Sequence, residues 1–263
     1  MLALKNKGMI GIIWDRRDSV NSSMKKCKGA ILMNKEKVAV LFTGGRDSSL
    51  VACLEALQGR EVHLLTCNSG IGIKSELSEF RVQELKSLFP EQIVGRTVLP
   101  TYGLFRSIAI ARLEEDFKRW GVNLVLLGDK LAIHAAATVY CVQNGIKRLV
   151  DGCVGYQKDL AEQKSVAIEI LREFEAEYGI IYECPIYHFG SQDDVKYALL
   201  TIGLSSKSLE GVSVFGDAFT EPTDQMVEEY MKDKLPICHE HVRFMTETKD
   251  IVNRFKYKEP VVS

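Results

Sequence analysis

Short apolar runs alternate with amphipathic stretches along the first part of the chain. The first apolar run extends from Val38 to Phe42 and is followed by turn residues. Runs of this length, bounded by turns, are typical of strands that are buried on both faces of a parallel sheet. By the same pattern we predict four more strands, at residues 62–66, 93–99, 124–127 and 148–152.

Helical stretches separate these predicted strands, and most of them end at a glycine or just before a proline, as helices commonly do. They cover residues 48–58, 76–88, 104–120 and 128–145. Parallel strands that alternate with helices are joined by right-handed crossovers. We therefore expect an α/β fold, a Rossmann-like, doubly wound parallel sheet of five strands, with a smaller C-terminal helical extension.

The pattern changes after Gly155. Helices are predicted at 158–178, 191–202 and 222–234, with a short strand at 180–184. Ser191 followed by Asp194 is close to a capping box and marks a helix start. We divide the chain into an N-terminal extension at 1–37, an α/β domain at 38–157, and a mainly helical region at 158–263 that packs on that domain and contacts substrate or partner.

Charge is balanced over the whole chain but not along it. The 263 residues include 34 Lys and Arg against 35 Asp and Glu, which argues against a protein that coats nucleic acid. Residues 1–37 carry nine Lys and Arg against three acidic residues. We interpret this basic segment as a solvated extension. The alternative is an arm that contacts a polyanion or a partner subunit.

Seven cysteines are scattered along the chain without a CxxC pair. Their odd number and wide spacing do not fit a disulfide framework or a zinc ribbon, and a reducing compartment suits them better. The early apolar stretch from Met9 to Trp14 is too short to span a membrane. We expect a cytoplasmic protein with no membrane partner.

The segment between the first strand and the first helix carries the strongest chemical signal. It contains Thr43, Gly44, Gly45, Arg46, Asp47, Ser48 and Ser49. Ligands of open α/β sheets bind at the carboxyl ends of strands, where glycines, hydroxyls and a helix N-terminus suit an anion. Asp47 suits a loop cap or a ligand of a Mg²⁺ ion that bridges phosphates. The Walker A lysine and the GxGxxG fingerprint are both missing, and an ordinary strand-to-helix turn is the alternative interpretation.

This loop resembles the S/T-G-G-x-D-S motif of the PP-loop ATP pyrophosphatase superfamily, with Thr43 in the first place. Within that superfamily the chain is most similar to the 7-cyano-7-deazaguanine synthases, over about residues 38–215. The likeness rests on three further stretches, residues 128–152, 154–159 and 185–208. It implies a HUP-type fold, ATP and Mg²⁺ as cofactors, and an ATP pyrophosphatase of the ligase type that forms AMP and pyrophosphate.

The chain departs from that family in two places. Ser191, Gln192, Asp193 and Asp194 stand where the family has Ser-Lys at the start of a late helix. The family's four zinc-binding cysteines are missing, and the CxxH from Cys238 to His241 is too little for a closed zinc site. We therefore do not expect zinc.

The resemblance implies roles for individual residues. ATP pyrophosphate would lie on residues 43–49, with Asp47 also contacting Mg²⁺ through the phosphates. Adenine would lie near Thr66, Cys67 and Asn68, while Asp151 and Gly152 would border the nucleotide or the substrate. The candidate catalytic residues are Asp47, Ser48, Cys153 and Lys158.

Three functions remain open. In the first, the enzyme adenylylates a carbonyl or carboxylate oxygen of a small molecule or modified nucleobase, and nitrogen replaces that oxygen. In the second, a sulfurtransferase acts on tRNA or a small molecule and uses the thiol of Cys153 or Cys67. In the third, the protein binds a nucleotide without catalysis. We expect a small-molecule or nucleobase substrate and a possible homodimer, and the balanced charge does not favour tRNA.

Overall fold

A five-stranded parallel sheet lies at the centre of the computed structural model, which describes residues 35–73, 75–213 and 221–254. The predicted N-terminal extension lies outside the described residues except for its last three. The sheet has the order β4-β2-β1-β5-β6. Its strands are β1 (Lys37–Leu41), β2 (Glu61–Asn68), β4 (Ile93–Pro100), β5 (Arg148–Val150) and β6 (Ile181–Glu183). A separate antiparallel pair joins β3 (Gly72–Ile73) to β7 (Val212–Ser213).

Helices cover both faces of the sheet. They are α1 (Arg46–Leu57), α2 (Ser78–Leu88), α3 (Tyr102–Phe105), α4 (Leu113–Trp120), α5 (Val125–Asn144), α6 (Ser165–Glu177), α7 (Gln192–Ile202) and α8 (Asp224–Arg254). Short 3₁₀ turns lie at Ser75–Leu77, Gly155–Gln157 and Ala161–Gln163, and a π-helical turn at Arg106–Ile110 follows α3.

Alternate residues of β1 enter two different cores, because successive side chains of a strand point to opposite faces. Val38 and Val40 join the core formed with α1, α2 and α7. Ala39 and Leu41 join the core formed with α5, α6 and α8. Burial on both faces explains why the strand is a continuous apolar run. The predicted Rossmann-like, HUP-type α/β fold is confirmed.

One predicted strand is wrong. Residues 124–127 begin α5, where Asn123 Oδ1 accepts a hydrogen bond of 3.0 Å from the amide of Val125. Four apolar residues cannot by themselves distinguish a buried strand from the start of a buried helix. The fifth strand is instead β6, which pairs in parallel with β5 and corresponds to the strand predicted at 180–184.

Several helix boundaries also differ from the prediction. The helix predicted at 158–178 begins only at Ser165, because the chain before it makes a 3₁₀ turn at Ala161–Gln163. The helix predicted at 104–120 is divided by the π-helical turn. The helix predicted from residue 222 runs on to Arg254. The cap at Ser191 is confirmed, because its hydroxyl accepts a 3.3 Å hydrogen bond from the amide of Asp194.

In the described part of the chain, α5 alone has the length and apolar composition of a membrane span. About two-thirds of its most apolar window, 67%, is buried inside the protein. It packs against α8 and the π-helical turn, as the core helix of a globular protein does.

The strand order defines the position of the candidate site. The chain goes from β1 outward to β2 and β4, and then returns to add β5 and β6 on the other side of β1. Loops after β1 and β5 therefore leave in opposite directions and open a crevice at the carboxyl end of the sheet.

Candidate functional site

The loop after β1 makes a tight turn into α1. Gly44 has φ +86°, and a side chain there would meet the carbonyl oxygen of Leu209 at 2.5 Å and the Cα of Ser78 at 2.8 Å. A glycine is therefore required both for the left-handed backbone and for the close approach of neighbouring chain. Gly45 is the residue that precedes the first turn of α1, so the loop lies at the positive end of that helix.

Hydroxyl groups hold the loop in shape. The amide of Gly45 donates to Thr43 Oγ1 at 3.1 Å, and the amide of Thr43 donates to Ser48 Oγ at 3.3 Å. The hydroxyl of Ser49 donates to the carbonyl of Gly45. Thr43 and Ser48 thus organise the mouth of the loop, whereas the hydroxyl of Ser49 is occupied by a hydrogen bond within the loop.

Asp47 lies in the first turn of α1, where Tyr156 donates a hydrogen bond of 3.1 Å to its carboxylate. Burial raises the pKa of Asp47, and the carboxylate of Glu210 raises it further, against the lowering effect of the Tyr156 hydrogen bond. Gly152 lies directly beneath this turn, since a Cβ there would meet the amide of Ser48 at 2.7 Å. The loops after β1 and β5 therefore touch at Gly152.

A cavity of about 480 Å³ opens in front of the loop, within the size range of ligand sites. Its walls come from the loop, the end of β2, the first turns of α5, the segment after β5 and residues 210–213. Nine of the residues predicted from sequence line it: Thr43, Gly45, Asp47, Ser48, Thr66, Cys67, Asn68, Asp151 and Gly152.

Five predicted residues do not line the cavity. Gly44 and Ser49 shape the loop from behind, and Arg46 donates through Nε to the carbonyl of Ser206 at 2.7 Å. Lys158 is exposed, because the helix expected to begin there starts seven residues later. Cys153 is 1% exposed and lies behind Lys130.

Lys130 and Asp151 form a buried ion pair at the back of the cavity. Burial, the largest single effect, lowers the pKa of Lys130, but the Asp151 carboxylate together with Cys153 and Cys184 outweighs it, and the net shift is upward. Burial likewise raises the pKa of Asp151, but Lys130 together with His134 and Cys153 outweighs it, and the net shift is downward. Both side chains therefore stay charged, and Lys130 is a cation in the wall of the cavity.

Asp129 also lines the cavity. Burial raises the pKa of Asp129 from 3.8 to about 6. A hydrogen bond from Ser69 acts in the opposite direction, and the charge of Glu162 raises the pKa further. One of its buried carboxylate oxygens, Oδ1, has no hydrogen-bond partner among the described residues. Sequence reasoning missed Asp129 and Lys130, although Gly-Asp-Lys at the start of an apolar helix was the available signal.

The six cysteines that the structure describes are all free. Cys67 lines the cavity, and burial raises its pKa to about 12, with Asp129 and Asp151 contributing. Cys153 lies 3.3 Å from Lys130 Nζ, and its hydrogen bond to Cys184 raises the pKa of Cys153 and lowers the pKa of Cys184. Cys184 is therefore the more acidic thiol of this pair.

No cluster of three His, Cys, Asp or Glu side chains that could bind a metal occurs in the parts of the chain that the structure describes. Cys238 is buried against the carbonyl of Leu131, and His239 lies 2.7 Å from the Tyr178 hydroxyl. For Mg²⁺, which prefers oxygen ligands and retains waters, Asp47 supplies a carboxylate next to the loop. The donor set at the loop mouth therefore fits a phosphate-bound Mg²⁺.

Comparison with known proteins finds likeness at the level of structure. No protein-family model matches the chain, and no curated protein matches it. A 4-thiouridine synthetase, solved as an RNA complex with bound ATP, is 13% identical with a TM-score of 0.55, over 79% of this chain and 53% of that one. The likeness is one of fold, and the chain spans about half the length of that synthetase.

A second solved structure is described as a predicted subunit of tRNA methyltransferase from Methanocaldococcus jannaschii. It is 20% identical with a TM-score of 0.41, over 65% of this chain and 90% of that one. Neither structure is a 7-cyano-7-deazaguanine synthase, so the resemblance to that family stays a prediction.

Proposed function

We propose that this chain is a PP-loop enzyme that cleaves ATP between its α and β phosphates and transfers the adenylyl group to an acceptor oxygen. The observation that carries the proposal is the loop of residues 43–49, which ends at the N-terminus of α1 and faces a cavity of about 480 Å³. A helix N-terminus and a glycine-rich loop together favour an anion. The fold shared with a synthetase that binds ATP supports the same conclusion.

Each wall of the cavity suits one part of the nucleotide. Thr43, Gly45 and Ser48 would bind the pyrophosphate, and Mg²⁺ held by Asp47 would neutralise phosphate charge. Lys130 adds a permanent cation at the back of the same cavity. The end of β2, from Thr66 to Asn68, would contact the adenine. Fixed charges and dipoles of this kind stabilise the charge that develops during transfer.

For the second half of the reaction, we favour sulfur as the nucleophile. The acceptor oxygen attacks the α phosphorus and releases pyrophosphate; a sulfur nucleophile then attacks the activated carbon, and AMP leaves with the original oxygen. Cys67 lines the cavity and places a thiol next to the proposed adenine site. The similar fold of a 4-thiouridine synthetase–RNA complex makes an RNA base a candidate acceptor. Nitrogen transfer to a small molecule or nucleobase is the alternative.

Pyrophosphate release with Mg-ATP, unmodified tRNA and a sulfide donor tests this function. We expect Asp47→Asn to lower the rate by about 100-fold or more, as loss of a group that stabilises the transition state commonly does. Glu229→Gln removes one negative charge from an exposed position on α8 and is the matched control. An Asp47→Asn rate equal to that of the unmodified protein would show that the site is wrongly assigned.

The product and the cysteine variant distinguish the candidate functions. Mass spectrometry of the RNA detects a gain in mass when sulfur replaces oxygen, and replacing sulfide by ammonium tests nitrogen transfer. With a persulfide donor, the Cys67 thiolate takes the outer sulfur and releases the donor thiol; the Cys67 persulfide then displaces AMP, and an added thiol reductant cleaves the resulting disulfide. Cys67→Ser should abolish thiolation by this route but leave pyrophosphate release intact. Tight ATP binding without pyrophosphate release from any acceptor would support the non-catalytic alternative.

A further inference from the structure

Residues 205–213, which we call the strap, cross the front of the loop. Arg46 and Arg81 bind its backbone, through the carbonyl of Ser206 at 2.7 Å and that of Ser205 at 2.9 Å. The amide of Leu209 donates to the carbonyl of Gly44 at 3.1 Å. The far end of the strap forms β7, which pairs with β3. The strap is thus bound directly to the loop that it crosses.

Glu210 extends from the strap into the mouth of the loop. Thr43 Oγ1 donates to its Oε2 at 3.1 Å, and Ser208 Oγ donates to its Oε1 at 2.7 Å. The carboxylate also fills the space above Gly45, since a Cβ added to that glycine would overlap it. A carboxylate, which is an anion with two acceptor oxygens, therefore lies where the loop is best suited to bind a phosphate.

We propose that Glu210 is an intramolecular gate, whose carboxylate covers the anion site of the loop until the phosphates of a nucleotide displace it. The inference rests on the proposed function, because it assigns a control element to the same site. A carboxylate and a phosphate cannot occupy one position, and two anions held close together repel each other. Nucleotide binding must therefore move the Glu210 carboxylate away from Thr43.

Asp47 and Glu210 both line the cavity, so two carboxylates lie at the mouth of the loop. The competing interpretation is that Glu210 stays in place and acts as a second ligand for Mg²⁺.

Calorimetric titration with inorganic pyrophosphate and with ATP, each with and without Mg²⁺, tests the gate. We expect Glu210→Gln to bind both ligands roughly ten-fold more tightly at low salt, with or without the metal, and the gain to shrink as salt screens the repulsion. Ser208→Ala releases one hydrogen bond that holds the carboxylate, and should shift affinity about three-fold in the same direction. Glu229→Gln should bind as the unmodified protein does.

The other possible results of these titrations contradict the proposal that Glu210 is a gate. Weaker binding of Glu210→Gln that is confined to Mg²⁺-containing solutions would show that Glu210 is a metal ligand. Equal affinities for the unmodified protein and Glu210→Gln, with a normal thermal unfolding curve, would show that the carboxylate is a bystander, while leaving the proposed function intact. Absence of binding by every variant would instead refute the proposed function itself.

Discussion

At the scale of single residues, local pattern predicted the loop but not its partners. Thr43, Gly45, Asp47 and Ser48 were recognisable because their types and spacing encode a turn into a helix. Glu210 was not, since it reaches the loop from more than 160 positions away. A contact of that range depends on the complete fold, which no local pattern describes.

Asp129 gives the protein a pH dependence of stability. Burial raises its folded-state pKa from 3.8 to about 6, so between about pH 4 and pH 6 the folded protein binds more protons than the unfolded chain, and stability falls as pH rises. Asp129→Asn cannot ionise. We expect its free energy of unfolding at pH 7 to exceed that of the unmodified protein by about 3 kcal/mol, and the difference to become small near pH 4.

Urea unfolding of both proteins across this range measures the effect. The free energies of unfolding of the two proteins should diverge as the pH rises from about 4 to about 6, and their difference should stay constant at higher pH. Curves that remain parallel from about pH 4 to pH 7 would show that Asp129 titrates normally in the folded protein.

Cys184 should be the most readily alkylated of the cysteines with a resolved pKa shift. The hydrogen bond from Cys153 lowers its pKa, whereas burial raises the pKa of Cys53 and Cys238 to about 12. Because the thiolate is the reactive form, brief iodoacetamide treatment at neutral pH should modify Cys184 before Cys53 and Cys238, as read by peptide mass spectrometry. Cys153→Ala should slow this modification, and equal labelling of Cys53 and Cys184 would contradict it.

At the scale of elements, an apolar run of four residues is too short to identify its own structure. Residues 124–127, predicted as a strand, are all apolar, but they form the start of α5. They are apolar because α5 is enclosed by the sheet, the π-helical turn and α8, not because they pair with other strands. An apolar run followed by a glycine-rich turn, as at β1, is a clearer signal for a strand.

The close packing of α5 depends on Gly128. A Cβ at this position would meet the Tyr230 hydroxyl at 2.6 Å and the Cβ of Ala109 at 2.7 Å. We expect Gly128→Ala to destabilise the protein by about 1–3 kcal/mol, as overpacking does. It should also weaken nucleotide binding, since Asp129 and Lys130 follow directly.

Gly103→Ala is the control for this substitution. A Cβ there meets no atom within 4 Å, and alanine favours a helix over glycine. Urea unfolding should show a loss of stability for Gly128→Ala and none for Gly103→Ala. Equal stabilities of the two variants would mean that α5 can shift to admit the extra methyl group.

At the scale of the whole molecule, alternation of strands and helices predicted the parallel sheet and the end at which the site lies. It did not predict that β6 is the fifth strand, because a three-residue strand carries too little pattern to indicate its neighbours. The order of strands in a parallel sheet depends on which segments of the chain pair with each other as the protein folds. The site depends on that order, because the loops after β1 and β5 meet only when the two strands are adjacent.

Nucleotide binding should therefore stabilise the molecule as a whole, because the cavity walls come from segments between residues 41 and 213. A ligand that binds only the folded state adds about 2.7 kcal/mol at one hundred times its Kd. For a chain of this size that corresponds to a rise of about 5–10 °C in Tm. We expect Mg-ATP to produce this rise in a calorimetric or fluorescence melt, and Asp47→Asn to reduce it. A Tm that does not respond to ATP at any concentration would mean that the cavity does not bind the nucleotide in the folded protein.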